Sequence, residues 1–209
     1  SEKDRKIVQS ILNDVRKNGD SAVKKYERKF NGRKTSQLRV SAKEIKETRS
    51  KIGILQKVAL GRINLLSEQR LRQYLKDWGK GGKKFIISGK QTTRSDFEKS
   101  SSGATVTRRR RFIAISSVGC YIPGGQAKYP SSAIMSITPA KLAGVKRIVA
   151  VSPPGPDGKI DPLTIAAAKL CGATEIYKVG GAQAIGALAY GTKSIPKVDK
   201  IVGPGGKFV

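Results

Sequence analysis

GCYIPGG, residues 119–125, lies between an apolar run and a segment with helical spacing. The apolar run is FIAI at residues 112–115, which we interpret as a strand. After the loop, apolar residues recur at helical spacing from Ile134 to Leu142. A strand followed by a glycine-rich turn and a helix forms an anion-binding site in α/β proteins, because the N–H groups at the start of the helix point at the ligand.

A similar order of elements repeats along the rest of the chain. Strands are predicted at residues 147–151, 175–179 and 199–202, and helices at residues 162–170 and 182–190. Helices of this length between strands predict crossover connections and a mostly parallel sheet. The glycine-rich segments at residues 180–181 and 203–206 follow predicted strands. Because open α/β sheets bind ligands at the edge where their strands end, we expect the ligand there.

We expect an α/β fold in two parts. Residues 118–209 should form a nucleotide-binding domain, an incomplete Rossmann-like parallel sheet flanked by helices. Residues 1–117 should form a mostly helical N-terminal region with short strands, as part of an incomplete first domain. Within this region, QLRV at residues 37–40 is predicted as a strand, and Ser41 and Glu44 have the spacing of a helix capping box.

The second predicted helix of the N-terminal region has a recognisable apolar face. Val23, Tyr26 and Phe30 recur at helical spacing before Asn31 and Gly32, which end the helix. We therefore predict that these three side chains share one face of the helix. On its own, the N-terminal region should expose an apolar surface.

Composition narrows the chemistry that these residues can perform. The sequence contains no histidine, so no Ser-His or Cys-His nucleophile pair can form within it. Cys120 and Cys171 have no partners at metal-ligand spacing and cannot make a disulfide framework. No apolar run approaches the roughly 18 residues of a membrane helix. The N-terminus has no signal-peptide core, so we expect a cytoplasmic protein with no membrane partner.

The net charge of +27 arises from 42 basic and 15 acidic residues and lies mostly within residues 1–117. Such a charge attracts phosphates, nucleic acid or an acidic partner, and a solvated surface is the plain alternative. No aromatic residues interleave with the four arginines at residues 108–111, so specific nucleic-acid binding is not expected. A non-catalytic basic module that binds nucleic acid or an acidic partner stays open as a second hypothesis. Affinity that falls linearly with salt on a log–log plot would support it.

Several sequence blocks resemble the histidinol dehydrogenase family in their order and spacing. They are VGCYIPGG (118–125), YPSS (129–132), PAKLAG (139–144), SPP (152–154), GGAQAI (180–185), ALAYGT (187–192) and PKVDKIVGPG (196–205). The resemblance is close over residues 118–209 and looser over residues 7–117. The chain is therefore interpreted as similar to the N-terminal half of that family's chain.

The resemblance implies an enzyme of histidine biosynthesis that oxidises L-histidinol to L-histidine in two NAD-dependent steps, as a zinc-containing homodimer. In the family, NAD is held by the tyrosine of YIPGG, here Tyr121, and by the glutamine of GGAQ, here Gln183. A tyrosine can pack its ring on a cofactor and offer its hydroxyl, and a glutamine amide both donates and accepts. Many members have asparagine after GPG as a third NAD contact. Here that position is Gly206, which keeps only the backbone approach.

The resemblance also indicates what this chain does not supply. The family's chains continue for about as many residues again, and that part carries most of the zinc ligands and a Glu-His pair that moves protons. We therefore expect no catalytic and no metal-ligating residue among residues 1–209, and no turnover by this chain alone.

Overall fold

The computed structural model describes residues 2–32, 37–80, 93–99, 105–111, 113–124 and 128–205. Its helices are α1 (Glu2–Asn18), α2 (Asp20–Asn31), α3 (Ala42–Lys51), α4 (Ile54–Lys80), α5 (Pro130–Leu142), α6 (Pro162–Cys171) and α7 (Gly181–Tyr190). Its strands are β1 (Thr93–Lys99), β2 (Thr105–Arg111), β3 (Ser117–Tyr121), β4 (Arg147–Ser152), β5 (Glu175–Lys178) and β6 (Lys200–Val202). None of these helices is long and apolar enough to cross a membrane.

A four-stranded parallel sheet in the order β5-β4-β3-β6 organises the fold. β3 pairs with β4 on one side and with β6 on the other, and β4 pairs with β5. Helix α5 connects β3 to β4, α6 connects β4 to β5, and α7 connects β5 to β6. β1 and β2 form a two-stranded antiparallel sheet. The predicted α/β fold, with a parallel sheet flanked by helices, is confirmed.

The central strand β3 lies later in the chain than the apolar run at residues 112–115, so the prediction of a strand at that run is wrong. Phe112 lies outside the described residues, and Ile113 is 73% exposed. All five residues of β3 are buried instead. A Cβ on Gly119 would lie 2.8 Å from Leu188 Cδ1 of α7. Small residues occupy this strand because the helix packs directly on it.

Side chains that alternate along β4 divide the core between the two faces of the sheet. Ile148 and Ala150 belong to the face covered by α3, α4, α5 and α6. Val149 and Val151 belong to the face covered by α1, α2 and α7. The N-terminal helices therefore pack on both faces of the sheet. The division of the chain into domains at residue 118 stays a prediction.

The segment before α3 lies against the edge strand β5. The predicted strand at residues 37–40 forms an antiparallel bridge there, between Arg39 and Tyr177. The predicted capping box at the start of α3 is confirmed. Glu44 of that capping box also accepts a hydrogen bond from Lys178 Nζ at 2.8 Å, which ties α3 to the end of β5.

Helix α4 carries an exposed apolar surface of the kind predicted for the N-terminal region. Its exposed apolar side chains are Ile54, Val58, Ile63, Leu65 and Leu66. Leu60, by contrast, is buried and belongs to the core on the same face of the sheet as α5 and α6. Only part of the apolar surface of α4 therefore contributes to the core.

Both cysteines are buried thiols of this same core. Cys120 lies in β3 and Cys171 is the last residue of α6, and both are 0% exposed. Burial raises the pKa of the Cys120 thiol to about 11 and also raises the pKa of Cys171. Both side chains are therefore protonated near neutral pH, which fits a packing role.

Gly119→Ala should lower the free energy of unfolding by about 1–3 kcal/mol, because its methyl group would overlap Leu188 and crowd Val198. Gly61→Ala is the matched control, since Gly61 lies within α4 and nothing lies within 4 Å of an added Cβ. The control should be neutral or raise the free energy of unfolding by up to about 1 kcal/mol. Urea unfolding measures both variants. Equal effects would contradict the close packing of α7 on β3.

Candidate functional site

The ends of the parallel strands bring Tyr121 and Gln183 to one edge of the sheet. Tyr121 is the last residue of β3, and Gln183 lies in the first turn of α7, shortly after β5. The two elements meet at Gly181, whose N–H donates to the Tyr121 hydroxyl at 3.2 Å. The structure therefore places these two predicted residues on either side of one glycine turn.

The Tyr121 side chain is fixed in a protonated state. Tyr121 is 6% exposed, and burial raises the pKa of its hydroxyl. The hydrogen bond from Gly181 opposes that rise, and the negative charge of Glu27 adds to it. Gly203, just after β6, has a φ of 142°, and a Cβ there would overlap the Tyr121 carbonyl oxygen. Only glycine lets this loop pass so close to the end of β3.

A buried carboxylate holds the amide of Gln183. Gln183 is 2% exposed, and its Nε2 donates to Glu27 Oε1 at 2.8 Å. The Gly180 N–H donates to the same oxygen at 3.0 Å. Glu27 is 0% exposed and comes from α2. Because Gly180 is the N-cap of α7, the carboxylate lies where the helix dipole favours negative charge.

The oxygen of the same Gln183 amide has no protein partner. Among the side chains in the described part of the chain, Gln183 Oε1 is the buried oxygen or nitrogen that lacks a hydrogen bond. Gly181 has a φ of 58°, and a Cβ on it would lie 3.0 Å from this oxygen. Buried acceptors are nearly always satisfied in native proteins. An unsatisfied acceptor beside a glycine turn fits a ligand that donates a hydrogen bond.

A cavity of about 270 Å³ adjoins this site, between the loops that follow β3 and β4 and the start of α6. Gly124, Ser152, Pro153 and Asp161 are among the residues that line it. A Cβ on Gly180 would overlap Pro153. Pro153 therefore lies against both the cavity and the glycine turn, which are neighbours at one edge of the sheet.

The third predicted NAD contact and the expectation about metal ligands both stay predictions. Gly206 lies outside the described residues. Among the residues that the structure describes, no group of three or more His, Cys, Asp or Glu side chains could hold a metal ion. These residues therefore do not fit a zinc centre, and none of them is assigned a step that involves zinc.

Glu27 is the residue of this site that sequence patterns did not indicate. It lies one helical turn after Val23, and both side chains are 0% exposed on the inner face of α2. Phe30 shares this face as predicted, since its ring stacks on Tyr26 with centroids 5.9 Å apart, but it is 52% exposed at the end of the helix. Glutamates are almost never fully buried unless they are paired. From the sequence alone, a glutamate in an amphipathic helix is therefore expected to face solvent. The signal in the sequence that could have indicated its burial was its position one helical turn after Val23, on the same face of α2.

The chain is similar to known proteins along nearly its whole length. The family model described as histidinol dehydrogenase matches residues 1–209. The chain is 46% identical over 204 residues to the histidinol dehydrogenase of Bacillus cereus, which covers 97% of this chain and 42% of that protein. It is 38% identical over 206 residues to the histidinol dehydrogenase of Methanosarcina barkeri, which covers 98% of this chain and 43% of that protein.

A solved structure agrees with these sequence relatives. The crystal structure of histidinol dehydrogenase from Elizabethkingia anophelis matches with a TM-score of 0.79 and 30% sequence identity, over 98% of this chain and 43% of that one. The chain thus spans less than half the length of each of these three proteins.

Tyr121→Phe should lower the free energy of unfolding by about 1–2 kcal/mol, because it leaves the Gly181 N–H without its acceptor. Tyr190→Phe is the matched control, since Tyr190 is 40% exposed at the end of α7 and its substitution should change this free energy by less than about 0.5 kcal/mol. Chemical denaturation measures both. A Tyr121→Phe protein as stable as the control would show that the hydrogen bond contributes nothing.

Proposed function

Because the chain belongs to the histidinol dehydrogenase family, we propose that it supplies the NAD-binding part of an enzyme that oxidises L-histidinol to L-histidine. The observation that carries this proposal is Gln183 Oε1, a buried acceptor without a partner beside the turn that binds the Tyr121 hydroxyl. NAD carries amide, amino and hydroxyl donors that could satisfy this oxygen. The position also agrees with the edge at which open α/β sheets bind nucleotides.

Three residues of the chain are proposed to contact NAD. Gln183 accepts a hydrogen bond through Oε1. Tyr121 keeps its own hydroxyl proton, because burial raises its pKa, and can donate that proton to an acceptor on NAD while its ring packs on the cofactor. Gly206 contributes its backbone only. Gly181 has no side chain that would separate the turn from the cofactor.

When bound, NAD would supply the hydride acceptor for each oxidation step. The residues of this chain bind and orient NAD, and none of them is assigned an acid or base role. We propose that zinc and the proton-transferring groups are held by residues outside this sequence, as the family resemblance implies. The whole protein is proposed to be a cytoplasmic homodimer, in which residues 118–209 form the nucleotide-binding domain and residues 1–117 belong to the first domain.

The proposed function is tested by the full-length protein with zinc, L-histidinol and NAD. Oxidation of an alcohol to a carboxylate removes two hydrides, so two NADH should form for each histidinol consumed, as measured by NADH absorbance. A polypeptide of residues 1–209 alone should form no NADH under the same conditions. A full-length protein that makes no NADH would overturn the proposed activity, and turnover by residues 1–209 would overturn the proposed location of the catalytic groups.

Gly181→Ala should weaken the binding of NAD to the full-length protein by about tenfold, since its methyl group would lie 3.0 Å from Gln183 Oε1 and cover that acceptor. Gly32→Ala is the matched control. Gly32 also has a positive φ, 69°, but nothing lies within 4 Å of an added Cβ. Both variants should lose about 1–2 kcal/mol of stability through backbone strain, and only Gly181→Ala should lose NAD affinity. Isothermal titration calorimetry measures the Kd, and equal NAD affinity in both variants would contradict the proposed site.

A further inference from the structure

We infer that Glu27 is a positioning residue of the NAD site: its buried carboxylate fixes the side-chain amide of Gln183 so that Oε1 accepts a hydrogen bond from NAD. The inference rests on the proposed function, because it requires that Gln183 contacts NAD. Glu27 acts through Gln183 and is not itself a catalytic residue.

The contact between the two side chains selects one orientation of the amide. The Nε2 and Oε1 atoms of a glutamine occupy similar positions, and hydrogen-bond partners decide which of the two faces a given neighbour. Glu27 Oε1 accepts hydrogen bonds from two N–H groups and therefore faces the amide as an acceptor. If the Gln183 amide turned over, its oxygen would lie where Nε2 now donates to Glu27 Oε1 at 2.8 Å, and two acceptors would face each other. The orientation with Nε2 toward Glu27 is therefore favoured, and it leaves Oε1 for a ligand.

The carboxylate is itself fixed by the main chain. Glu27 Oε1 accepts the Gly180 N–H at 3.0 Å as well as the Gln183 amide. Gly180 and Gln183 belong to the same end of α7, so the carboxylate spans the N-cap and the first turn of one helix. Glu27 is 0% exposed, and water does not compete for these contacts. The amide of Gln183 is thus held before any ligand arrives.

The free acceptor, Gln183 Oε1, determines which kind of chemical group can bind to it. Gln183 Oε1 is buried without a partner among the described residues, so it requires an N–H or O–H donor and would repel a phosphate oxygen. We therefore assign to this oxygen a carboxamide, amino or hydroxyl group of NAD, and not its pyrophosphate.

A double-mutant cycle on the full-length protein tests whether Glu27 acts through Gln183. The variants are Glu27→Met, Gln183→Met and the two combined, because methionine replaces each side chain with an unbranched apolar one. Each single variant should weaken NAD binding about tenfold, and the combined variant should also be about tenfold weaker rather than a hundredfold. Additive weakening, or unchanged NAD affinity in Glu27→Met, would overturn the inference.

Glu27→Gln tests whether the shared oxygen or the negative charge of Glu27 is required. If only the oxygen is required, this variant should keep the NAD affinity that Glu27→Met loses. Both N–H groups donate to a single oxygen of Glu27, and the carbonyl oxygen of a glutamine can accept both. NAD affinity in Glu27→Gln should therefore stay within about threefold of the wild type. Glu44→Gln is the control on the other face of the sheet: it disturbs the contact with Lys178 and should not change NAD affinity. A tenfold loss in Glu27→Gln would contradict positioning by the shared oxygen.

Hydrogen exchange of the Gln183 side-chain amide, measured by NMR without NAD, tests the contact with Glu27 separately from the proposed function. It does not require that Glu27→Met folds. The side-chain amide protons of Gln183 give the NMR signal that Gln183→Met removes. They should exchange with solvent at least about a hundredfold more slowly than those of exposed glutamines, and Glu27→Gln should keep this protection. Fast exchange in the wild type would overturn the inference. Slow exchange in a wild-type protein that does not bind NAD would overturn the NAD assignment while the contact between the two side chains remained.

Discussion

The close packing of α7 on the central strand β3 is the constraint on which the rest of the structure depends. Gly119 leaves room for the helix on the strand side. On the opposite side of α7, a Cβ on Gly186 would lie 3.2 Å from Leu12 Cδ2 of α1. Glycines therefore let one strand and two helices stack at short range. Because α7 is held this closely, its first turn lies at the end of β3, where the Gly181 N–H reaches the Tyr121 hydroxyl.

The candidate site contains residues from the N-terminal region (1–117) as well as from residues 118–209. Its glycine turns follow strands of the parallel sheet, but the carboxylate that satisfies the Gly180 N–H comes from α2. On the other face of the sheet, Glu44 of α3 binds Lys178 at the end of β5, two residues before that turn. Helices of the N-terminal region thus contact β5 and the turn after it from both faces. Of these two contacts, only the one from Glu27 reaches the candidate site, and the one from Glu44 holds α3 against the edge of the sheet.

Glycine positions and apolar periodicity were sufficient to predict the parallel sheet, because they follow from local rules, and they also indicate the edge of the sheet where the candidate site lies. The NAD-binding roles proposed for Tyr121 and Gln183 rest on family resemblance, since many buried tyrosines and glutamines have no ligand. Periodicity failed for β3, whose small residues reflect the packing of α7, while the exposed Ile113 carried the stronger strand pattern. Periodicity places Glu27 on the same face of α2 as Val23, but it does not indicate the partner that satisfies it, because that partner lies 156 positions away in the sequence.

The alkylation rate of the buried Cys120 thiol is a measure of how often the central strand β3 becomes accessible. A reagent cannot reach a side chain that is 0% exposed, and a thiol with a pKa of about 11 has little thiolate at neutral pH. Alkylation of Cys120 therefore requires that β3 first separate from the helices above it. Cys171 at the end of α6 reports on the neighbouring helix layer in the same way. The two alkylation rates measure how often β3 and the end of α6 each become accessible. Equal rates would indicate that the two elements open together.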